Sequence, residues 1–206
     1  MALIHQAQLT PSKLDLLTAW VPARPWLDGA DASTLDAVGA YRFDDPAGQV
    51  GIETHLVRTA DGRLLQVPLT YRGAPLAGAE PIGTMEHSVL GTRWVYDGCL
   101  DPVYAQALAA AVLTGGSEAL LEVVGSPRPT YREPTVRVKG SGRPGSPVPA
   151  IDGVDHASTA TETAIRGGGL EMILRRVIDP GTSADGSTLV GTWAGQDSPA
   201  LLASIA

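Results

Sequence analysis

The chain has 206 residues, 44% of them hydrophobic and 18% charged, a length and composition that support a globular core and exclude a disordered chain. Its net charge of −7 provides no surplus of cations to release counterions, which argues against a general nucleic-acid or anionic-membrane partner. The single cysteine, Cys99, excludes an internal disulfide and a cysteine-based zinc site. Residues 1–10 lack the basic start and apolar core of a signal peptide, and no run reaches the roughly 18 apolar residues of a membrane span, so a cytoplasmic location is expected.

The first predicted element is a short helix. Thr10 is its expected cap, Pro11 suits its first position, and Leu9 with Leu14 form a hydrophobic staple. Leu14, Leu17 and Val21 share one face, with Trp20 at the apolar end, and Pro22 and Pro25 end the helix. Residues 22–36 read as a loop in which Trp26 is the most exposed of the four tryptophans. The alternation of Val50, Ile52, Thr54 and Leu56 predicts a half-buried strand. Asp61-Gly62 marks a hairpin turn into a second strand from Leu64 to Tyr71, where Pro68 argues for an edge position or a bulge. A third strand is expected over 92–96.

Asp101-Pro102 then opens a second helix as cap and first residue, and Gly115-Gly116 stops it. Beyond it the composition turns β-like, with runs at 120–124, 135–138, 170–178 and 188–193 separated by Gly/Pro turns. Trp193 belongs to the last of these, and Leu201, Leu202 and Ile205 are expected to pack back on the sheet. The fold class read from this order is α+β: a curved, mostly antiparallel sheet with two or three helices packed on it.

Three stretches carry a family resemblance. Gln66-Val67-Pro68-Leu69-Thr70-Tyr71-Arg72 is followed by Ile82-Gly83-Thr84 and then by Trp94-Val95-Tyr96-Asp97-Gly98-Cys99-Leu100-Asp101-Pro102. This series resembles the N-terminal cap of actinobacterial maltokinases. The resemblance spans residues 1–115, and it implies a non-catalytic cap rather than an active site. It also implies that residues 116–206 are a β-rich extension similar to a degenerate kinase intermediate subdomain. There, Asp179-Pro180-Gly181 aligns with the family's EPG and puts Ile173 at the position of the ATP-contacting lysine. Isoleucine cannot neutralise phosphate charge. Only 25 residues follow Gly181, leaving no room for the lobe that carries the sugar-orienting and magnesium-binding groups. The expectation is therefore a protein that is not an enzyme and has no cofactor.

The remaining chemistry is sparse. Gly140-Ser141-Gly142-Arg143-Pro144-Gly145 has phosphate-loop spacing, but no helix follows and Pro144 removes an amide, so a flexible surface loop is the reading. Glu53, His55, Glu86 and His87 lack a metal-ligand spacing and read as ordinary polar residues, with no metal site. Asp97 closes a turn and Asp101 caps a helix. The sequence offers no catalytic triad, and Cys99 has no placed cationic partner. Ligand-binding candidates are Trp94 and Tyr96, two apart on one sheet face, with the cations Arg132, Arg137, Lys139 and Arg143. For Trp94 and Tyr96, a core or protein-interface role outweighs sugar stacking. The functional expectation is an accessory binding module with a protein partner or a second copy of itself, linked through the resemblance to glucan, maltose or trehalose metabolism. The alternative is a sugar- or nucleotide-binding sensor.

Overall fold

The computed structural model describes residues 2–5, 7–124 and 130–206. It begins with β1 (Ala2–His5), β2 (Leu9–Thr10) and α1 (Lys13–Trp20), followed by 3-10 turns at Val21–Ala23 and Pro25–Leu27. Five strands follow: β3 (Leu35–Phe43), β4 (Gly51–Thr59), β5 (Leu64–Arg72), β6 (Gly83–His87) and β7 (Gly91–Asp97). After α2 (Pro102–Thr114) come β8 (Leu121–Val124), β9 (Tyr131–Arg132), β10 (Val136–Gly140) and β11 (Asp155–Ser158). The chain closes with β12 (Glu162–Gly167), β13 (Leu170–Arg175), β14 (Ser187–Trp193) and β15 (Gln196–Ile205).

These strands form three sheets. One six-stranded sheet runs β2-β6-β7-β5-β4-β3, another runs β10-β14-β15-β13-β12-β11, and a small third runs β1-β8-β9. Pairing is antiparallel throughout except between β1 and β8. Register shifts at Ala37/Gly39 in β3, and at Leu189/Val190 and Gly191/Trp193 in β14, add local twist and curl both large sheets. The α+β class with curved, mostly antiparallel sheets and two helices is therefore what forms. Among the described residues, no helix is long and apolar enough to cross a membrane.

Strand alternation sorts the first sheet into two faces. Tyr41, Phe43, Ile52 and Leu56 point to one side and join a core with Tyr104, Leu108 and Val112 of α2. That core continues into Val136, Met172, Leu174, Leu189 and Ile205 of the second sheet, so α2 lies between the two large sheets. Val57, Leu65, Val67, Leu69 and Val95 point to the other side, where Leu16 and Leu17 of α1, Val21 and Trp26 cover them. Strand β5 is consequently buried on both faces.

Several boundaries differ from the sequence reading, each for a local reason. Thr10 pairs with Glu86 in β2, and α1 starts only at Lys13, which leaves Thr10 two residues short of the cap position. Ser12 caps instead: its hydroxyl accepts from the Asp15 amide at 3.2 Å, and the Asp15 carboxylate accepts from the Ser12 amide at 3.0 Å. Pro68 sits in a central strand rather than at an edge. Successive backbone groups of a strand point to alternate sides. The Gln66 amide donates to Arg176 O and Leu64 O accepts from the Ile178 amide, whereas pairing of β5 with β7 starts at Leu69. The donor that Pro68 lacks therefore falls in the gap between segment 176–178 and β7. The terminal apolar run becomes β15, a central strand with Leu201, Leu202 and Ile205 buried.

The second helix is bounded as its sequence predicts. Asp101 Oδ1 accepts from the Val103 amide at 3.0 Å, and Gly115 ends the helix in the left-handed region at φ 68°. The first part of the glycine motif at 140–145 packs on the end of α2. The Gly142 amide donates to Val112 O at 2.9 Å and the Arg143 amide to Leu113 O at 3.1 Å, satisfying carbonyls at the end of α2. A Cβ on Gly142 would lie 1.9 Å from Leu113 O, and one on Gly140 would lie 1.9 Å from Ala111 O. The glycines allow backbone to meet a helix C-terminus, the end of a helix that repels phosphate rather than binding it.

Candidate functional site

The six ligand-binding candidates do not form one site. Trp94 is half-buried on β7 opposite Arg72 and Thr84, and Tyr96 is buried two residues on, its hydroxyl accepting from the Leu76 amide at 2.8 Å. Arg132 is exposed on β9 in the small sheet, and Arg143 is exposed in the turn after β10. Arg137 and Lys139 share one face of β10. Arg137 pairs with Glu118 at 3.0 Å and with Glu133, while Lys139 Nζ donates to Gly115 O at 2.6 Å. None of the six lines either of the two large cavities described below. Ile173 is half-buried on β13 between Ala164 and Ser204.

A buried ion pair that sequence reasoning missed ties the two large sheets together. Arg176 is fully buried; its Nη2 donates to Asp97 Oδ2 at 2.5 Å and its Nε to Thr163 Oγ1 at 2.8 Å. The guanidinium also lies over the Trp26 ring at 5.2 Å. Burial works against the arginine's charge, but the Asp97 carboxylate outweighs it, so Arg176 stays cationic. Asp97 Oδ1 accepts from the Cys99 amide, which keeps the turn-closing role its sequence position suggests. Burial pushes the Cys99 thiol well up, leaving it in the protonated form. Trp26 was expected to be exposed; the two 3-10 turns fold it back on the first sheet instead, where it is 1% exposed. A contact between residues 26, 97 and 176 has no local sequence signal.

A second polar cluster lies on the α1 face of the first sheet. Glu53 pairs with Lys13 and lies 3.4 Å from His55 Nε2, which is 3.2 Å from the Tyr71 hydroxyl. Burial alone would raise the Glu53 carboxyl, but His55, Lys13 and Arg42 hold it well below the usual carboxylate range. Glu86 instead accepts from Thr92 Oγ1 and His87 Nδ1 accepts from the Val89 and Leu90 amides. Among the described residues, no three His, Cys, Asp or Glu side chains converge as metal ligands.

Two cavities adjoin at the start of α2, where Pro102 and Asp152 line both. The first, about 880 Å³, is a groove along the outer side of α2. Its floor is Val103, Ala107 and Ala110, and Val148, Ile151 and the exposed Leu120 extend the apolar surface. Asp44, Asp45, Glu118 and Asp152 line it, and among the described residues no lysine or arginine is part of the lining. The second cavity, about 980 Å³, is a cleft between the Trp20–Trp26 segment, loop 76–82, the Asp97 turn and residues 152–158.

Comparison with known proteins bears on one part of the chain. Residues 20–101 match the model of the maltokinase N-terminal cap domain. The match lies within the 1–115 resemblance and runs from the end of α1 to the cap of α2. No curated protein matches. Among solved structures, a glucosamine kinase in complex with glucosamine, ADP and inorganic phosphate aligns at 18% identity with a TM-score of 0.44. That alignment covers 95% of this chain and 40% of the kinase chain, so the chain spans well under half the length of that protein.

Proposed function

We propose that this chain, built around a maltokinase-cap-like unit at residues 20–101, is a non-catalytic accessory module that binds a protein partner in glucan, maltose or trehalose metabolism. The observation that carries the reading is the groove along α2, an apolar floor of helix and loop residues inside an acidic rim. Its occupant is an apolar segment of a partner with basic residues at its flanks. Charge complementarity argues for this, because carboxylates line the groove and, among the described residues, no lysine or arginine lines it. The same rim disfavours a second copy of this chain, since a symmetric contact would bring two acidic rims together. The uncharged side chain of Ile173 at the position aligned with the kinase lysine supports the non-catalytic part of the reading. So does the internal use of Asp97, Asp101 and Glu53, each held by a cation of this chain.

The test compares wild type with Ala110→Glu, which places a carboxylate on the groove floor without touching the core. Tagged wild-type protein from a native extract is expected to co-elute with an enzyme acting on maltose, trehalose or an α-glucan, and the variant to lose it. A wild-type protein that elutes alone, or a partner that the variant retains, overturns the reading.

A further inference from the structure

The cleft on the other side of Pro102 has a different chemistry from the groove. One wall carries Trp20 and Trp26, whose ring centroids are 5.8 Å apart, and Arg24 lies over the Trp20 ring at 4.7 Å. Arg24 is half-buried and its Nε is fully buried without a hydrogen-bond partner. Among the described residues its guanidinium makes no ion pair and no side-chain hydrogen bond, only the stacking on Trp20. An arginine fixed in direction by an indole, with its donors unused, is a recognition group awaiting acceptors. Asp97 lines the base of the cleft, held in place by Arg176, and Glu80, Asp155 and His156 stand at its exposed margins.

We infer that this cleft binds a neutral saccharide, with Arg24 donating to ring and hydroxyl oxygens and the carboxylates accepting hydroxyl protons. Three features favour that ligand class. The volume of about 980 Å³ is at the upper end of small-ligand sites and accommodates a disaccharide. Planar carboxylates and a planar guanidinium pair two-by-two with adjacent hydroxyls, while Ile82, Leu100 and Val154 offer apolar surface to the C–H faces of a ring. The charge balance selects against anions, since Glu80, Asp152 and Asp155 repel a phosphorylated ligand. The walls come from both sides of the chain, Trp20 to Pro102 and Asp152 to Ser158, so the ligand would bridge the cap-like unit and the second sheet. This inference is independent of what occupies the α2 groove.

The experiment is a tryptophan-fluorescence titration of the full chain with glucose, maltose, trehalose and glucose 6-phosphate, repeated on Arg24→Ala and Glu80→Gln. Trp20 and Trp26 line the cleft, so occupancy changes their emission. The expected result is a saturable change with at least one neutral sugar, weakened about tenfold or more in Arg24→Ala through loss of a charged hydrogen bond. Glu80 is exposed and makes no ion pair or side-chain hydrogen bond among the described residues, so Glu80→Gln tests the cleft with the wild-type melting temperature retained. It is expected to weaken the same sugar. No saturable change with any neutral sugar, saturation by glucose 6-phosphate alone, or equal binding in wild type and both variants overturns the inference.

Discussion

Replacing Asp97 with asparagine tests the central electrostatic claim about this fold, because it keeps the side-chain volume and removes the charge that Arg176 faces. Arg176 is fully buried and the Asp97 side chain is 9% exposed, so water cannot take over for the missing carboxylate. Removing one partner of a buried pair costs about 3–5 kcal/mol, since it strands the other charge in a low-dielectric interior. For a domain of this length each kcal/mol moves Tm by roughly 2–4 °C, which gives a drop of about 6–20 °C for Asp97→Asn. Arg176→Met strands the carboxylate instead and is expected to cost a similar amount. The double variant leaves no unpaired charge, and the methionine stem still fills the space beside Trp26. Its loss should be far smaller than the sum of the two singles, within about 2 kcal/mol of wild type. Urea unfolding followed by circular dichroism at pH 7 measures all four proteins. Singles that each fall within about 1 kcal/mol of wild type, or a double variant as unstable as the summed singles, would refute the account of a desolvated, mutually dependent pair.

Two further outcomes follow from geometry. Glu53 is held below its ordinary range by His55 of β4, Lys13 of α1 and Arg42 of β3, with the Tyr71 hydroxyl of β5 also beside it. A depressed folded-state pKa means the unfolded chain takes up the proton first, so this contribution is present above the unfolded value of about 4.3 and is lost as pH falls through the lower folded value. Urea midpoints between pH 3 and 7 should therefore fall less steeply on the acid side in Glu53→Gln than in wild type; parallel acid limbs would count against the assignment. Gly142→Ala forces a Cβ to within 1.9 Å of Leu113 O and is expected to cost more than about 2 kcal/mol. Gly145→Ala, at φ 82° with open space around it, carries only the backbone penalty of about 1 kcal/mol. Equal losses in the two alanine variants, read by thermal melts, would show that close packing on α2 is not what the first glycine serves.

Much of the first sheet was legible because its signals are local. Asp101-Pro102 and Gly115 bound α2 through chemistry within a few residues, and Asp61-Gly62 places a hairpin between two alternating strands. The cap-like motifs at 66–72, 82–84 and 94–102 carried the family resemblance over the region where the family model matches. Strands β11 and β12 were less legible. Their residues are mostly small or polar, and β11 is exposed along its whole length, so no hydrophobic period announces it.

The candidate site was mostly hidden for a different reason. Trp94, Tyr96 and the cations from Arg132 to Arg143 were singled out by spacing, but spacing cannot tell that Arg137 and Lys139 already have partners in Glu118 and Gly115 O. Arg24 and Arg176 look alike in the sequence. Folding buries one against Asp97 and Trp26, and leaves the other stacked on Trp20 without a hydrogen-bonding partner among the described residues. Composition, turn chemistry and alternation determined the class of fold and its helix ends, because those depend on neighbours along the chain. Which charges pair, which tryptophans are buried and where the groove and cleft open depend on residues brought together across as many as 150 positions, from Trp26 to Arg176, and only the tertiary structure decided them.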